Sequence, residues 1–145
     1  MELGIRGKKS LILAGSRGIG RAIVDVLKEE GATVMIRARN ENLLKRAGHN
    51  YMVCDLKREP DKLFEDVKEV DILVLNMEGP KPGYFDDEDF REAIMRNYLP
   101  KMKEKHWSRI VAITSFSVIS PLETLHTSNS TRMALTSLWK HFLSK

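Results

Sequence analysis

The chain is short of several things, and each shortage closes off a class of protein. It has one cysteine, Cys54, among 145 residues. No intrachain disulfide can form, so the core must hold the fold, and a reducing compartment suits it. Cys54 ends an apolar run and reads as a buried structural thiol. No apolar run approaches the ~18 residues that cross a bilayer, and Met1 to Arg6 lacks the apolar centre of a signal peptide. The expectation is a cytoplasmic protein with no membrane partner. The histidines at 49, 106, 126 and 141 share no metal-ligand spacing with one another or with Cys54, so no metal is expected. Charge of one sign is not in excess either. Twenty-four basic residues face 20 acidic ones, interspersed, for a net +4. That describes a mixed solvated surface, and no nucleic-acid motif accompanies it. Internal repeats and low-complexity segments are absent. With 42% hydrophobic residues, the length fits a single domain over 1–145 with a genuine core.

What is present begins with Leu11-Ile12-Leu13-Ala14-Gly15-Ser16-Arg17-Gly18-Ile19-Gly20, an apolar run that breaks into a glycine-rich turn and opens into a helical pattern from Arg21 to Glu30. Glycines let a backbone approach a pyrophosphate, and the unpaired N–H groups and positive dipole end of the helix face the anion. A glycine cluster alone is a weak signal, because turns and helix caps also use glycine. Context strengthens it: the strand precedes, the helix follows, and Thr33-Val34-Met35-Ile36 arrives after Gly31 to complete a βαβ unit.

Strand-like runs recur at Ser10 to Ala14, Thr33 to Arg37, Tyr51 to Cys54, Asp71 to Leu75 and Arg109 to Thr114. They are mostly continuous and rich in β-branched residues, as strands buried on both faces should be. Helical patterns cover Gly18 to Glu30, Asn42 to Ala47, Asp61 to Val67, Asp87 to Trp107 and Ser128 to Leu143, with Pro100 expected to kink or split the fourth. Strict alternation predicts an α/β domain whose parallel sheet carries helices on both faces. The irregular stretch Asn76 to Asp86 follows the fourth strand and is expected opposite the Gly15 to Gly20 loop.

Together with Ala38-Arg39-Asn40, Cys54-Asp55-Leu56, Leu75-Asn76 and Arg109-Ile110-Val111-Ala112-Ile113-Thr114-Ser115, the glycine loop resembles the N-terminal part of a short-chain dehydrogenase/reductase, particularly the 3-oxoacyl-acyl-carrier-protein reductase-like members. The resemblance runs nearly end to end. It implies a three-layer Rossmann-like fold with strand order 3-2-1-4-5, and a cofactor held by Gly15, Ser16, Arg17, Gly18, Ile19, Gly20, Arg39, Asp55, Leu56 and Asn76. In that family an acidic side chain ending the second strand bonds the NAD ribose. Here the residue is Ala38, and with Arg39 and Arg17 to pair a 2′-phosphate the resemblance implies NADP. Ordinary surface arginines are the other reading of that pair. Asp55 could equally cap the segment after it.

The same resemblance implies a catalytic serine at Ser115, but it places His126 where the family has its acid tyrosine and Ser130 where it has the lysine four residues on. A histidine titrates near neutrality yet is shorter than tyrosine, and a capping or surface role is the alternative. A hydrolase triad of Ser115, His126 and an aspartate lacks the strand-turn-helix elbow that such a nucleophile needs. Met77 and Glu78 add bulk and negative charge where the family is small after Asn76. Ending at Lys145, the chain is expected to lack the family's C-terminal substrate lobe and to leave its last strand as an edge, in a monomer or weak homodimer. The expectation is thus a minimal scaffold, engineered or diverged, without intact catalysis. The alternatives are an NADP-binding module or an NADP-dependent oxidoreductase.

Overall fold

The apolar runs form strands and the segments between them form helices. The order is β1 (Lys9–Leu13), α1 (Gly18–Glu29), β2 (Thr33–Ala38), α2 (Glu41–Ala47), β3 (Asn50–Val53), β4 (Ile72–Leu75), α3 (Leu99–Glu104) and β5 (Arg109–Ala112), then a 3-10 turn at Phe116–Val118. The structure, a computed structural model, describes residues 2–48, 50–55, 58–59, 62, 65, 67–76, 96–120, 122–123, 129, 133, 136–137 and 140. Two compact units divide the chain, Met1–Asn76 with Asp87–Ala112, and Met77–Asp86 with Ile113–Lys145. The whole sheet lies in the first.

All strand pairs are parallel, and their order is β3-β2-β1-β4-β5. This is the Rossmann-like α/β sheet that the alternation of elements predicts. β1 is central, in register with β2 from Lys9↔Thr33 to Leu13↔Arg37 and with β4 from Ser10↔Ile72 to Ile12↔Val74. Leu11, Ile12 and Leu13 are all 0% exposed. Side chains alternate along a strand, so three consecutive buried residues require cover on both faces. One face is a cluster of Ile12, Val34, Ile36 and Val74 with Val24 of α1 and Leu44 of α2. By alternation Leu11, Leu13, Leu73 and Leu75 point to the other.

The helix ends follow local chemistry. α1 stops where Gly31 takes φ +84°, with its N–H on the Lys28 carbonyl (2.9 Å) and the Ala32 N–H on that of Leu27 (3.0 Å). This Schellman arrangement satisfies the last carbonyls and turns the chain into β2. α2 begins where the Asn40 side chain accepts the Leu43 N–H at 3.1 Å.

Several boundaries differ from expectation, each for a visible reason. β1 ends at Leu13 rather than Ala14 because Ala14 takes φ +53°. β5 ends at Ala112 rather than Thr114, since Leu75, its partner, is the last residue of β4. No α-helix fills 61–67 at its described positions: Lys62 is 3-10 helical with its N–H on the Glu59 carbonyl (3.1 Å), Glu65 is a turn and Val67 is irregular. In the fourth helical pattern, Arg96 and Asn97 are helical, Tyr98 is a turn, and Pro100 lies in the first turn of α3. There its missing N–H leaves no bond unmade. The helix ends at Glu104, short of Trp107, which packs against the core cluster between Lys8 Nζ (4.9 Å from the ring centroid) and Arg109 Cζ (4.8 Å). Of 128–143, the described residues Asn129, Met133, Thr136, Ser137 and Lys140 are helical.

At the amino edge of the sheet, Asp71 ties three elements together. Its carboxylate accepts the Lys9 N–H (2.8 Å) and the Lys105 ammonium (2.7 Å), while its own N–H donates to Lys9 O and its carbonyl accepts from Arg109 N, both at 2.8 Å. Burial alone would raise the Asp71 pKa, but the Lys105 hydrogen bond, the Lys9 amide and the charges of Lys105 and Lys8 outweigh it and hold it below the ordinary value. Because the folded-state pKa is depressed, the contribution to stability is present above the unfolded-state value and is lost as pH falls through the folded-state value. Asp71→Asn should therefore lower stability by about 1–3 kcal/mol at neutral pH, and the deficit should shrink in acid. Urea melts at pH 7 and pH 3 check this; equal deficits at both would contradict the charge-based account.

Candidate functional site

Because the sheet is parallel, the carboxyl ends of β3, β2, β1 and β4 lie in that order along one edge. The residues that follow them are Asp55, Arg39, the loop from Ala14 to Arg17, and Asn76. The chain winds outward from β1 through β2 to β3 and then returns to β4 on the opposite side of β1. The β1 loop therefore stands at the switch in winding direction, where sheets of this kind open a crevice.

The loop packs tightly at Gly15 and too closely for any side chain at Gly20. A Cβ at Gly15 would meet the Cγ2 atoms of Ile12, Ile36 and Val24, each at 3.0 Å. One at Gly20 would run into the Ala14 carbonyl oxygen and Asn76 Nδ2. Gly18 has open space around its Cβ position but a φ of +56°, so it serves conformation rather than packing. Ala14 takes φ +53° without being glycine. Its N–H donates to Arg37 O at 2.8 Å, and its carbonyl accepts from Asn76 Nδ2 at 3.3 Å.

α1 starts beside this loop with Arg17 as its extended N-cap. The Arg17 side chain makes no capping hydrogen bond, and no acidic residue stands in the first turn. A helix of 12 residues thus presents its positive end and its first-turn amides without a carboxylate to quench them. This donor set fits a phosphate. Arg17, Ile19 and Arg39 are exposed at the same edge, Ser16 is half-buried, and buried Ala38 closes β2 with a methyl where a carboxylate would repel an anion. Asp55 starts a turn through its backbone, its carbonyl accepting from Arg58 N (3.0 Å) and Glu59 N (2.8 Å), while its carboxylate lies 3.9 Å from Arg58 Nε.

The structure thus gathers Gly15, Ser16, Arg17, Gly18, Ile19, Gly20, Arg39, Asp55 and Asn76 at one edge. Ser115 belongs to the second unit, where it is half-buried and caps the 3-10 turn, its Oγ accepting the Ser117 N–H at 3.3 Å. Leu56, Met77, Glu78, His126 and Ser130 lie outside the described residues. Among the described residues, no three of His, Cys, Asp and Glu gather as metal ligands, and no helix is long and apolar enough to cross a membrane.

Two residues at this edge escape a pattern-based reading. Ala14 sits inside an apolar run and carries no signal of its left-handed backbone. Arg37 does carry one, a lone charge in the strand Thr33-Val34-Met35-Ile36-Arg37-Ala38, and it is only 4% exposed. Its charge reaches two buried groups. Burial raises the Cys54 thiol pKa while Arg37 pulls it down, and the buried Tyr98 hydroxyl is likewise pushed above its ordinary value against the pull of Arg37.

A family model described as NAD(P)H-binding matches residues 15–143. An uncharacterized oxidoreductase of Bacillus subtilis, YvaG, is 35% identical over 83% of this chain and 56% of its own length. A 3-oxoacyl-acyl-carrier-protein reductase, FabG, of Rickettsia typhi is 35% identical over 75% of this chain and 54% of its own. The L-sorbose reductase of Gluconobacter frateurii, solved with NADPH and L-sorbose, superposes with a TM-score of 0.77 at 26% identity, covering 95% of this chain and 64% of that one. The chain spans little more than half the length of the two curated relatives.

Close approach at Gly20 and strain at Ala14 give opposite expectations for two small substitutions. Gly20→Ala should destabilise by about 1–3 kcal/mol, because backbone oxygen and the Asn76 amide stand in the way. Ala14→Gly should leave stability unchanged or up to about 1 kcal/mol higher, as relief of the left-handed strain offsets the added chain freedom. Urea midpoints of the two variants decide it. A Gly20→Ala protein as stable as the wild type would refute the close packing described for this loop.

Proposed function

The chain belongs to the NAD(P)H-binding family and is a 3-oxoacyl-acyl-carrier-protein reductase-like short-chain dehydrogenase/reductase over part of that family's length, and on that premise we propose that it binds NADP(H) at the carboxyl edge of β1 to β4. The observation that carries the reading is the first turn of α1. It has neither a side-chain cap nor an acid, and it is reached through a loop that has no room for a Cβ at Gly20 and little at Gly15. A pyrophosphate there would accept from the backbone amides of the turn. Arg17 and Arg39 would pair the 2′-phosphate, with Ala38 leaving no carboxylate to oppose it. Asn76 holds the loop in place through the Ala14 carbonyl. Related structures solved with NADPH and with NADP support this choice of cofactor.

When bound, NADPH supplies a hydride. Using that hydride on a carbonyl requires a proton donor, and the family's tyrosine and lysine positions hold His126 and Ser130 here. These replacements favour a module that binds the cofactor without reducing a substrate, a minimal scaffold whether diverged or engineered.

Titration with NADPH, followed by its fluorescence and by thermal melting at fixed salt, tests the binding. Saturable binding is expected, weakened by Arg39→Ala about tenfold for NADPH and hardly at all for NADH, as loss of one charge-assisted phosphate contact implies. No saturation with a cooperatively folded protein would overturn the proposal. The catalytic part is checked separately. The wild type should not consume NADPH with a 3-oxoacyl thioester above the buffer rate, and turnover abolished by Ser115→Ala would establish a working reductase instead.

A further inference from the structure

Arg37 is the only charged residue that is fully buried among the described residues. It lies in β2 opposite Leu13 and Met52, and by alternation its side chain faces away from the cluster under α1. Burying a guanidinium is costly unless its N–H groups are bonded. One bond it makes is informative: Nη2 donates to the Glu65 carbonyl at 3.0 Å, 28 residues further along the chain. The segment that ends there has no strand partner at its described positions. Those positions make tight turns, with Asp55 O accepting from Arg58 and Glu59, and Glu59 O from Lys62. Its near end is fastened to β2 by Cys54 N on Ala38 O at 3.0 Å. Its far end is fastened to the adjacent residue of the same strand, by the Arg37 side chain. Arg37 also holds the phosphate loop, since its carbonyl accepts the Ala14 N–H at 2.8 Å.

We propose that Arg37 is a positioning residue of the NADP(H) site: its guanidinium holds Glu65 to β2 beside the point where Cys54 is held, and thereby fixes the turn that starts at Asp55 on the carboxyl edge, as the wall against which the adenosine half of the cofactor rests. Its backbone and side chain then hold two walls of one site, the loop at Ala14 and the segment at Asp55. The inference rests on the NADP(H) reading above and adds a residue that touches no cofactor itself.

Three variants test it. Arg37→Met keeps the volume and removes the donors, Arg37→Lys restores a cation with a donor group, and Val34→Ala takes two methyl groups from the opposite face of the sheet, away from the Gly15 contacts, as a control on stability alone. Two readouts are taken, the Kd for NADPH and amide hydrogen exchange. Arg37→Met should raise Kd about tenfold, a coupling of the size that positioning residues exert, and should speed exchange at Arg58 and Glu59 while β1 and β2 stay protected. Arg37→Lys should recover part of both effects, and it supplies the comparison in a folded protein if Arg37→Met fails to fold. Val34→Ala should leave Kd unchanged. Unaltered Kd and exchange in the Arg37 variants overturn the inference, as does an equal rise of Kd in Val34→Ala. Should the wild type bind no NADPH, the functional reading falls. Exchange then decides the fastening alone: acceleration confined to the segment upholds it, and no acceleration overturns it.

Discussion

Both backbone polar groups of Ala14 are committed, the amide to Arg37 of β2 and the carbonyl to Asn76 at the end of β4. The chain therefore leaves β1 held from the two strands that flank it, and the left-handed turn at Ala14 is imposed rather than chosen. Everything at the carboxyl edge follows from that clamp. It sets the height at which Gly15 slides over Ile12, Ile36 and Val24, and it brings Gly20 against the Ala14 carbonyl. It also fixes where the first turn of α1 begins. A phosphate cradle made of backbone amides is only as good as the position of that backbone, and here two strands determine it.

The two ends of the sheet are treated differently. At the amino edge the polar groups are paired with one another: Asp71 takes the Lys9 amide and the Lys105 ammonium, and Trp107 lies between Lys8 and Arg109. At the carboxyl edge the helix start is left without a cap and the arginines are exposed. Charges satisfied internally stabilise a fold, and donors held in place without a capping partner are what a ligand needs. Stability and binding capacity thus sit at opposite ends of the same strands, about 15 Å apart for a five-residue strand.

Much of this was legible in the sequence, for reasons that differ between elements. β1 and β4 are continuous apolar runs, which only strands covered on both faces produce, and the glycine spacing from Gly15 to Gly20 marks a strand-to-helix turn regardless of context. The strand order needed the family resemblance, because local patterns do not say on which side of β1 a later strand returns. Other features were illegible because they are tertiary. The helical spacing within 61–67 is genuine, but none of the described positions there is α-helical, and the Glu65 carbonyl is taken by a side chain from β2. Ala14 carries no mark of its backbone angle. Trp107 continues a helical pattern, yet the chain leaves α3 before it and packs the ring against the core. Arg37 is the instructive omission: a cation inside an apolar strand was visible, and its meaning depended on a residue 28 positions away.

These observations bear on how a chain can hold a cofactor while its catalytic positions change. The phosphate site uses backbone amides, glycine clearances and two strand-held hydrogen bonds, none of which involves Ser115, His126 or Ser130. The hydrogen bonds and clearances that set the loop's position all lie among residues 12–37 and Asn76. The converse also holds. A clash at Gly20 or a loosened bond at Ala14 would disturb the cradle whatever stood at position 126. Binding and proton transfer are thus separable in the physics of this fold, and the presence of the first implies nothing about the second.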